Sequence, residues 1–252
     1  MRAASASTRR TLRRVRITGW SALTSLLVTI ICFLTWFHIV LPADRAALDS
    51  FFTNDEISVV ADNGLILATP TGPSTNQGLV FYPGAKVDPY AYLPTFEGLI
   101  AQGLTVVVVE PLFNMALFDT TPLAEATDLA PGITQWFVGG HSLGGVRACM
   151  VADDAAVSGV LLMASFCAND LSATDLTILQ LFGDKDGLID PLAVAQASAL
   201  LPTSNVDYTL TGANHASFGA YGPQGGDGIA TASRSEVFAM IQATIAANLL
   251  TD

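Results

Sequence analysis

Gly139-Gly140-His141-Ser142-Leu143-Gly144-Gly145 follows the apolar run Trp136-Phe137-Val138 and opens a helical pattern over Leu143–Ala152. Gly140–Gly144 spells glycine-x-serine-x-glycine. A strand that turns sharply into a helix at a serine lifts that side chain to the C-terminal edge of a sheet. Glycines on either side let neighbouring backbone approach where a Cβ would collide. The N–H of Leu143, at the helix N-terminus, is then placed to donate to negative charge developing on a reacting group. The competing reading is a glycine-rich helix start with a capping serine.

Outward from this turn, apolar runs alternate with helical spacing. Gly78–Tyr82, Thr105–Val109, Trp136–Gly139, Val157–Ala164, Thr177–Phe182 and Val206–Leu210 read as strands. Tyr90–Ala101, residues 120–130, Leu143–Ala152, Pro191–Leu201 and Ser233–Leu249 read as helices. Thr105–Val109 is a β-branched run suited to a strand buried on both faces. The alternation predicts an α/β fold, a mostly parallel sheet flanked by helices. Glu56–Ala61 and Leu65–Thr69, joined by Asp62-Asn63-Gly64, predict a hairpin at one edge of it.

A serine in such a turn needs a base, and the chain has three histidines. His38 lies in an N-terminal apolar run, and His141 adjoins Ser142 at a turn where neighbours point apart. His215 remains, in a loop just after the last predicted strand, which fits the order Ser, Asp, His. The third member is expected after the penultimate strand, where Gly183-Asp184-Lys185-Asp186-Gly187 offers two aspartates, with Asp190 a little further on. Spacing favours Asp186 as the group that holds the imidazole tautomer and stabilises the imidazolium; Asp184 reads as a turn residue. A second oxyanion donor, beside Leu143, is expected from Tyr82-Pro83-Gly84-Ala85-Lys86, with the N–H of Ala85 as the candidate.

Charge divides the chain. Six arginines and no acid occupy the first 16 of 252 residues, leaving five basic against 22 acidic residues, a formal −17, in the rest. So acidic a domain repels phosphate backbones, which argues against a nucleic-acid partner. Ile17–Leu41 carries no Lys, Arg, Asp or Glu. As a helix it would measure about 37 Å, against about 30 Å of hydrocarbon. Trp20 and Trp36 fall near its ends, and the arginine cluster before it predicts a cytoplasmic N-terminus. The competing reading, a cleaved signal peptide, calls for an apolar region of about 7–15 residues and a small-x-small site. The expected organisation is a basic cytoplasmic tail (1–16), a transmembrane signal-anchor (17–41), a stalk (42–54) and an extracytoplasmic α/β domain (55–252). The expected location is the cell membrane, crossed once. Cys149 and Cys167 read as two small buried hydrophobes, with a disulfide between them as the alternative. No C-x-x-C spacing occurs, and neither a metal nor an organic cofactor is expected.

Tyr82–Val87, Pro111–Ala116, Gly139–Gly145, Gly183–Gly187 and above all Asn214-His215-Ala216-Ser217-Phe218-Gly219-Ala220-Tyr221-Gly222-Pro223-Gln224-Gly225-Gly226-Asp227-Gly228 resemble the α/β-hydrolase superfamily, and within it the "fold-5" branch. The resemblance spans roughly Gln77 to Glu236. It implies Ser142, Asp186 and His215 as a triad, in agreement with the choice made from the residues themselves, and names no substrate. A serine at the elbow, where dehalogenases and epoxide hydrolases of this fold carry aspartate, points to acyl chemistry through an acyl-enzyme. Ser165–Asp175 is too short for a large lid, so an open site is expected, with Leu112, Phe113, Phe166 and Phe218 as candidate walls. Hydrolysis of small or lipid carboxylic esters or thioesters is the leading expectation. Acyl transfer by the same residues, or an anchored binding protein with an inactive site, are the alternatives.

Overall fold

A computed structural model describes residues 6–250 and resolves two units, divided between Ile39 and Val40. The first contains one helix, α1 (Ala6–His38). Within it Thr8–His38 is long and apolar enough to cross a membrane, with a mean hydropathy of 1.9 in its most apolar window. The helix begins eleven residues before the expected span. No glycine or proline interrupts the arginine-rich turns, and arginine is a good helix former. Arg2 lies outside the described residues.

In the second unit eight strands form one sheet: β1 (Ile57–Asp62), β2 (Leu65–Pro70), β3 (Gln77–Tyr82), β4 (Thr105–Val109), β5 (Gln135–His141), β6 (Val157–Met163), β7 (Thr177–Gly183) and β8 (Val206–Leu210). Their order is β1-β2-β4-β3-β5-β6-β7-β8. The pairs β1–β2 and β2–β4 are antiparallel, and every pair from β4 to β8 is parallel. This is the mostly parallel sheet flanked by helices that the alternation predicts, and the α/β-hydrolase fold that the resemblance implies. The hairpin turn is made by Asn63 and Gly64, both at positive φ (49° and 79°), as a type I′ turn demands.

Alternate residues of each central strand serve opposite faces. Leu79, Phe81, Val106, Val108, Phe137 and Leu161 join one core, closed by α3 (Leu93–Ala101) and α7 (Arg234–Asn248). Val80, Tyr82, Val107, Val138 and Val160 join the other, beneath α4 (Leu123–Thr127) and α5 (Leu143–Met150). Helix α7 starts at a reciprocal cap between Ser233 and Glu236. α6 (Pro191–Ala197) starts at Asp190, with proline in its first turn.

Two expectations are corrected here. The segment 42–54 is not a stalk. Leu41, kept out of the helix by the following Pro42, donates its N–H to Lys86 O at 2.7 Å, and Asp44 N–H donates to Ala220 O at 2.7 Å. Asp44 then caps α2 (Arg45–Phe52), whose Phe51 is buried in the core. Cys149 and Cys167, likewise, are joined in a disulfide rather than packed as thiols, with Cα atoms 5.5 Å apart. The bridge fastens α5 to the loop after β6. A loop 18 residues long gains about 3 kcal/mol from such closure. Replacing both cysteines by alanine is expected to lower the stability of the full chain by about that much, read from the urea midpoint. An unchanged midpoint would show that the bridge contributes nothing.

Candidate active site

The parallel strands β3 and β5 lie side by side at the point where the strand order reverses, and their C-terminal ends carry Tyr82-Pro83-Gly84 and Gly140-His141-Ser142. Open α/β sheets place their ligands in the crevice at such a reversal. Ser142 follows β5 with φ 53° and ψ −124°, a left-handed conformation that costs a non-glycine residue roughly 1–3 kcal/mol. Surrounding bonds hold it there. Ser142 N–H donates to Met163 O at 2.9 Å, while Ser142 O accepts from Gly145 N–H at 3.0 Å and from Ser165 Oγ at 2.6 Å. A Cβ on Gly140 would collide with the backbone of Gly144, and one on Gly144 with the Tyr82 carbonyl. The motif's glycines are therefore required by the contact between β5, α5 and the end of β3. Ser142 itself is half-buried.

His215 opens a 3-10 turn (His215–Phe218) beyond β8, and Asp186 lies in the loop after β7. The structure brings the two together: His215 Nδ1–H donates to Asp186 Oδ2 at 2.8 Å, with both side chains almost wholly buried. The other oxygen of Asp186 accepts the N–H groups of Leu188 (2.8 Å) and Ile189 (2.9 Å). Burial works to raise the Asp186 pKa, but the bonds from His215 and these N–H groups outweigh it and hold the carboxyl below its ordinary value of 3.8. Asp184 turns elsewhere, accepting Gly212 N–H at 2.6 Å and pairing with Lys185 at 3.2 Å. Asp190 is spent on the cap of α6.

The imidazole of His215 lies 4.6 Å, centroid to centroid, from that of His141, the residue before Ser142. No hydrogen bond joins Ser142 to His215 among the described residues. Nucleophile–base contacts are often long in the absence of substrate and shorten on binding. Leu143 is the first residue of α5, where N–H groups have no partner inside the helix. In the facing loop Gly84 N–H is bonded to Tyr92 Oη (3.0 Å) and Lys86 N–H to Asn114 O (2.7 Å). The N–H of Ala85, between them, donates to no acceptor among the described residues. Both expected oxyanion donors thus stand on elements that meet at the elbow.

Of the four expected wall residues, Leu112 is 61% exposed and Phe113 and Phe166 are half-buried, in the loops after β4 and β6. Phe218 is a correction. It is fully buried, and its ring stacks on His141 at 5.6 Å and 25°. It stacks against His141 from behind the site, and burial first, then the neighbouring His215, holds the His141 pKa well below its ordinary value.

The sequence reading passed over a buried relay behind the elbow. Tyr92 Oη and His141 Nδ1 share a hydrogen bond of 2.9 Å, and the same oxygen accepts Gly84 N–H. Tyr92 thereby joins the residue before Ser142 to the loop that carries Ala85. The signal was the aromatic face of the helical pattern after β3, which reads equally as core.

Among known proteins, the sequence model of the Alpha/beta hydrolase family matches residues 78–239. The solved structure of a predicted CIB-like hydrolase from Thermoplasma acidophilum superposes with a TM-score of 0.52 at 12% identity, covering 75% of this chain and 96% of that one. TT1662 from Thermus thermophilus superposes with a TM-score of 0.52 at 15% identity, covering 63% and 90%. At these identities the likeness concerns the fold. No curated protein matches the sequence significantly.

Two outcomes are expected. Tyr92→Phe strands Gly84 N–H and His141 Nδ1 in the interior and should cost about 1–3 kcal/mol in urea unfolding; an unaltered midpoint would dissolve the relay. Because the Asp186 pKa is lowered on folding, its pairing contributes stability above 3.8 and loses it as pH falls through the lowered value. Asp186→Asn should therefore flatten this acid limb of the stability profile, and a limb of unchanged steepness would place the linkage elsewhere.

Proposed function

The chain belongs to the alpha/beta hydrolase family, and from that premise we propose that it is a serine hydrolase acting on carboxylic esters or thioesters through Ser142, His215 and Asp186. The observation that carries the proposal is the 2.8 Å bond between His215 Nδ1 and Asp186 Oδ2, with the His215 ring 4.6 Å from that of His141, the residue before a serine held in a left-handed turn. With Nδ1–H committed to the carboxylate, Nε2 is the nitrogen left to receive the serine proton. Ser142 Oγ attacks the acyl carbon, and the N–H groups of Leu143 and Ala85 take the charge on its oxygen. The imidazolium, stabilised by Asp186, returns the proton to the departing alkoxide or thiolate. Water, activated by the same imidazole, then releases the acid from the acyl-enzyme.

An open site suits small esters and esters presented at a surface. Between β6 and β7 the chain runs through residues 164–176 without a helix. The loop after β4 exposes Leu112, Leu117 and Phe118 at the edge that carries Ser142. The residues that lead into the domain, Leu41–Asp44, bond to Lys86 and Ala220 of the oxyanion and histidine loops. Apolar side chains and a membrane-length helix at the N-terminus together favour acyl lipids among the candidate esters. The disulfide supports an extracytoplasmic domain, since such bridges persist under oxidising conditions, and the arginines in the first turns of α1 support a cytoplasmic N-terminus.

The full chain in detergent is expected to react covalently with a fluorophosphonate probe, and Ser142→Ala and His215→Ala are each expected to abolish the labelling. A folded wild-type chain that does not label would reject the proposal.

A further inference from the structure

We propose that Asp227 is a positioning residue for the His215–Asp186 pair, its carboxylate locking the loop that carries the base to the loop that carries the acid. The inference rests on the serine-hydrolase reading and assigns a role to a residue outside the three that react. Asp227 lies twelve residues beyond His215 in the loop after β8. Its Oδ1 accepts the backbone N–H of His215 at 3.1 Å and that of Gly187, forty residues away in sequence, at 3.1 Å. Its Oδ2 accepts Ala216 N–H at 2.9 Å, and the adjoining Gly228 N–H reaches Oδ1 at 2.7 Å. One carboxylate therefore gathers the N–H of the base, that of the residue after it, and that of the residue after Asp186.

A carboxylate that only shaped its own turn would stop at Gly228. The bond to Gly187 crosses from the β8 loop to the β7 loop, and the two backbones are packed to receive it. A Cβ on Gly187 would come within 2.7 Å of Gly228 N. Asn214, just before the base, donates its side-chain N–H to Gly228 O at 2.7 Å. The glycine-aspartate-glycine run 226–228 is thus fastened to both sides of the pair. The backbones of residues 186–187 and 215–216 are fixed relative to one another, and the ring-to-carboxylate distance follows from that.

The test uses the full chain in detergent, with a fluorophosphonate and a p-nitrophenyl ester as probes. Asp227→Ala is expected to lower the labelling rate and kcat about 100-fold, the loss that a misplacement of about 1 Å brings, with KM changed less than about 3-fold. In an Asp186→Asn background the same substitution is expected to cost less than about 3-fold, because the bond it positions is already gone. A full loss in both backgrounds, or none in the wild-type background, would overturn the proposal. Asp227→Asn keeps one acceptor oxygen for His215 and Gly187 and is expected to recover about 10-fold of the loss; it carries the test should the alanine variant fail to fold by circular dichroism. The low-field ring N–H resonance of His215, identified by its loss in Asp186→Asn, separates this proposal from the one beneath it. If the wild type does not label, the hydrolase reading fails, yet loss of that resonance in Asp227→Ala or Asp227→Asn still supports the clamp. Its persistence unchanged rejects it.

Discussion

The backbone of Ser142 is the constraint on which the rest of the candidate site depends. A left-handed serine is disfavoured by itself, so its surroundings have to over-determine it. They do so through three adjacent parallel strands: β6 supplies Met163 O, β5 delivers the residue, and the end of β3 presses its Tyr82 carbonyl against Gly144. A one-residue slip in any of these pairings would move the whole apolar set of that strand to the wrong face. The two cores on either side of the sheet therefore secure the turn as well as the fold. The disulfide adds a covalent tie between α5 and the loop of Ser165, whose hydroxyl bonds Ser142 O.

Much of the fold was legible because its signals are local. Thr105–Val109 announces a doubly buried strand by composition, and Asn63-Gly64 a tight hairpin by its φ requirement. Asp186 and His215 could be singled out because the chain has few histidines and the order of strands fixes which loops share an edge. What escaped depends on distant partners. Phe218 reads the same whether it faces a substrate or the ring of His141. Cys149 and Cys167 are 18 residues apart with a strand between them, and only the packing of α5 on β6 brings their Cα atoms within bridging distance. The stalk was misread although Asp44, before Arg45-Ala46-Ala47, is an ordinary N-cap. Its purpose emerges only once Phe51 has a core to enter.

Loops at the end of a sheet are ordinarily its most mobile part, and a site assembled from four of them needs some means of holding its geometry. In this chain the means is polar and cross-connected. Tyr92 ties the loop of Gly84 to His141, the residue before Ser142, Ser165 ties the β6 loop to Ser142 itself, Asn114 O ties the β4 loop to Lys86, and Asp227 accepts N–H groups from both Gly187 and His215. Nearly every one of these bonds engages a backbone group, so each fixes where a loop runs and leaves the reacting side chains free of extra partners. Tyr92, His141 and Ser165 are buried, and a broken bond there would leave a donor or acceptor without water to replace its partner. The same arrangement is consistent with an open edge: the loops are fixed from below by their own bonds, while Leu112, Leu117 and Phe118 stay exposed above them.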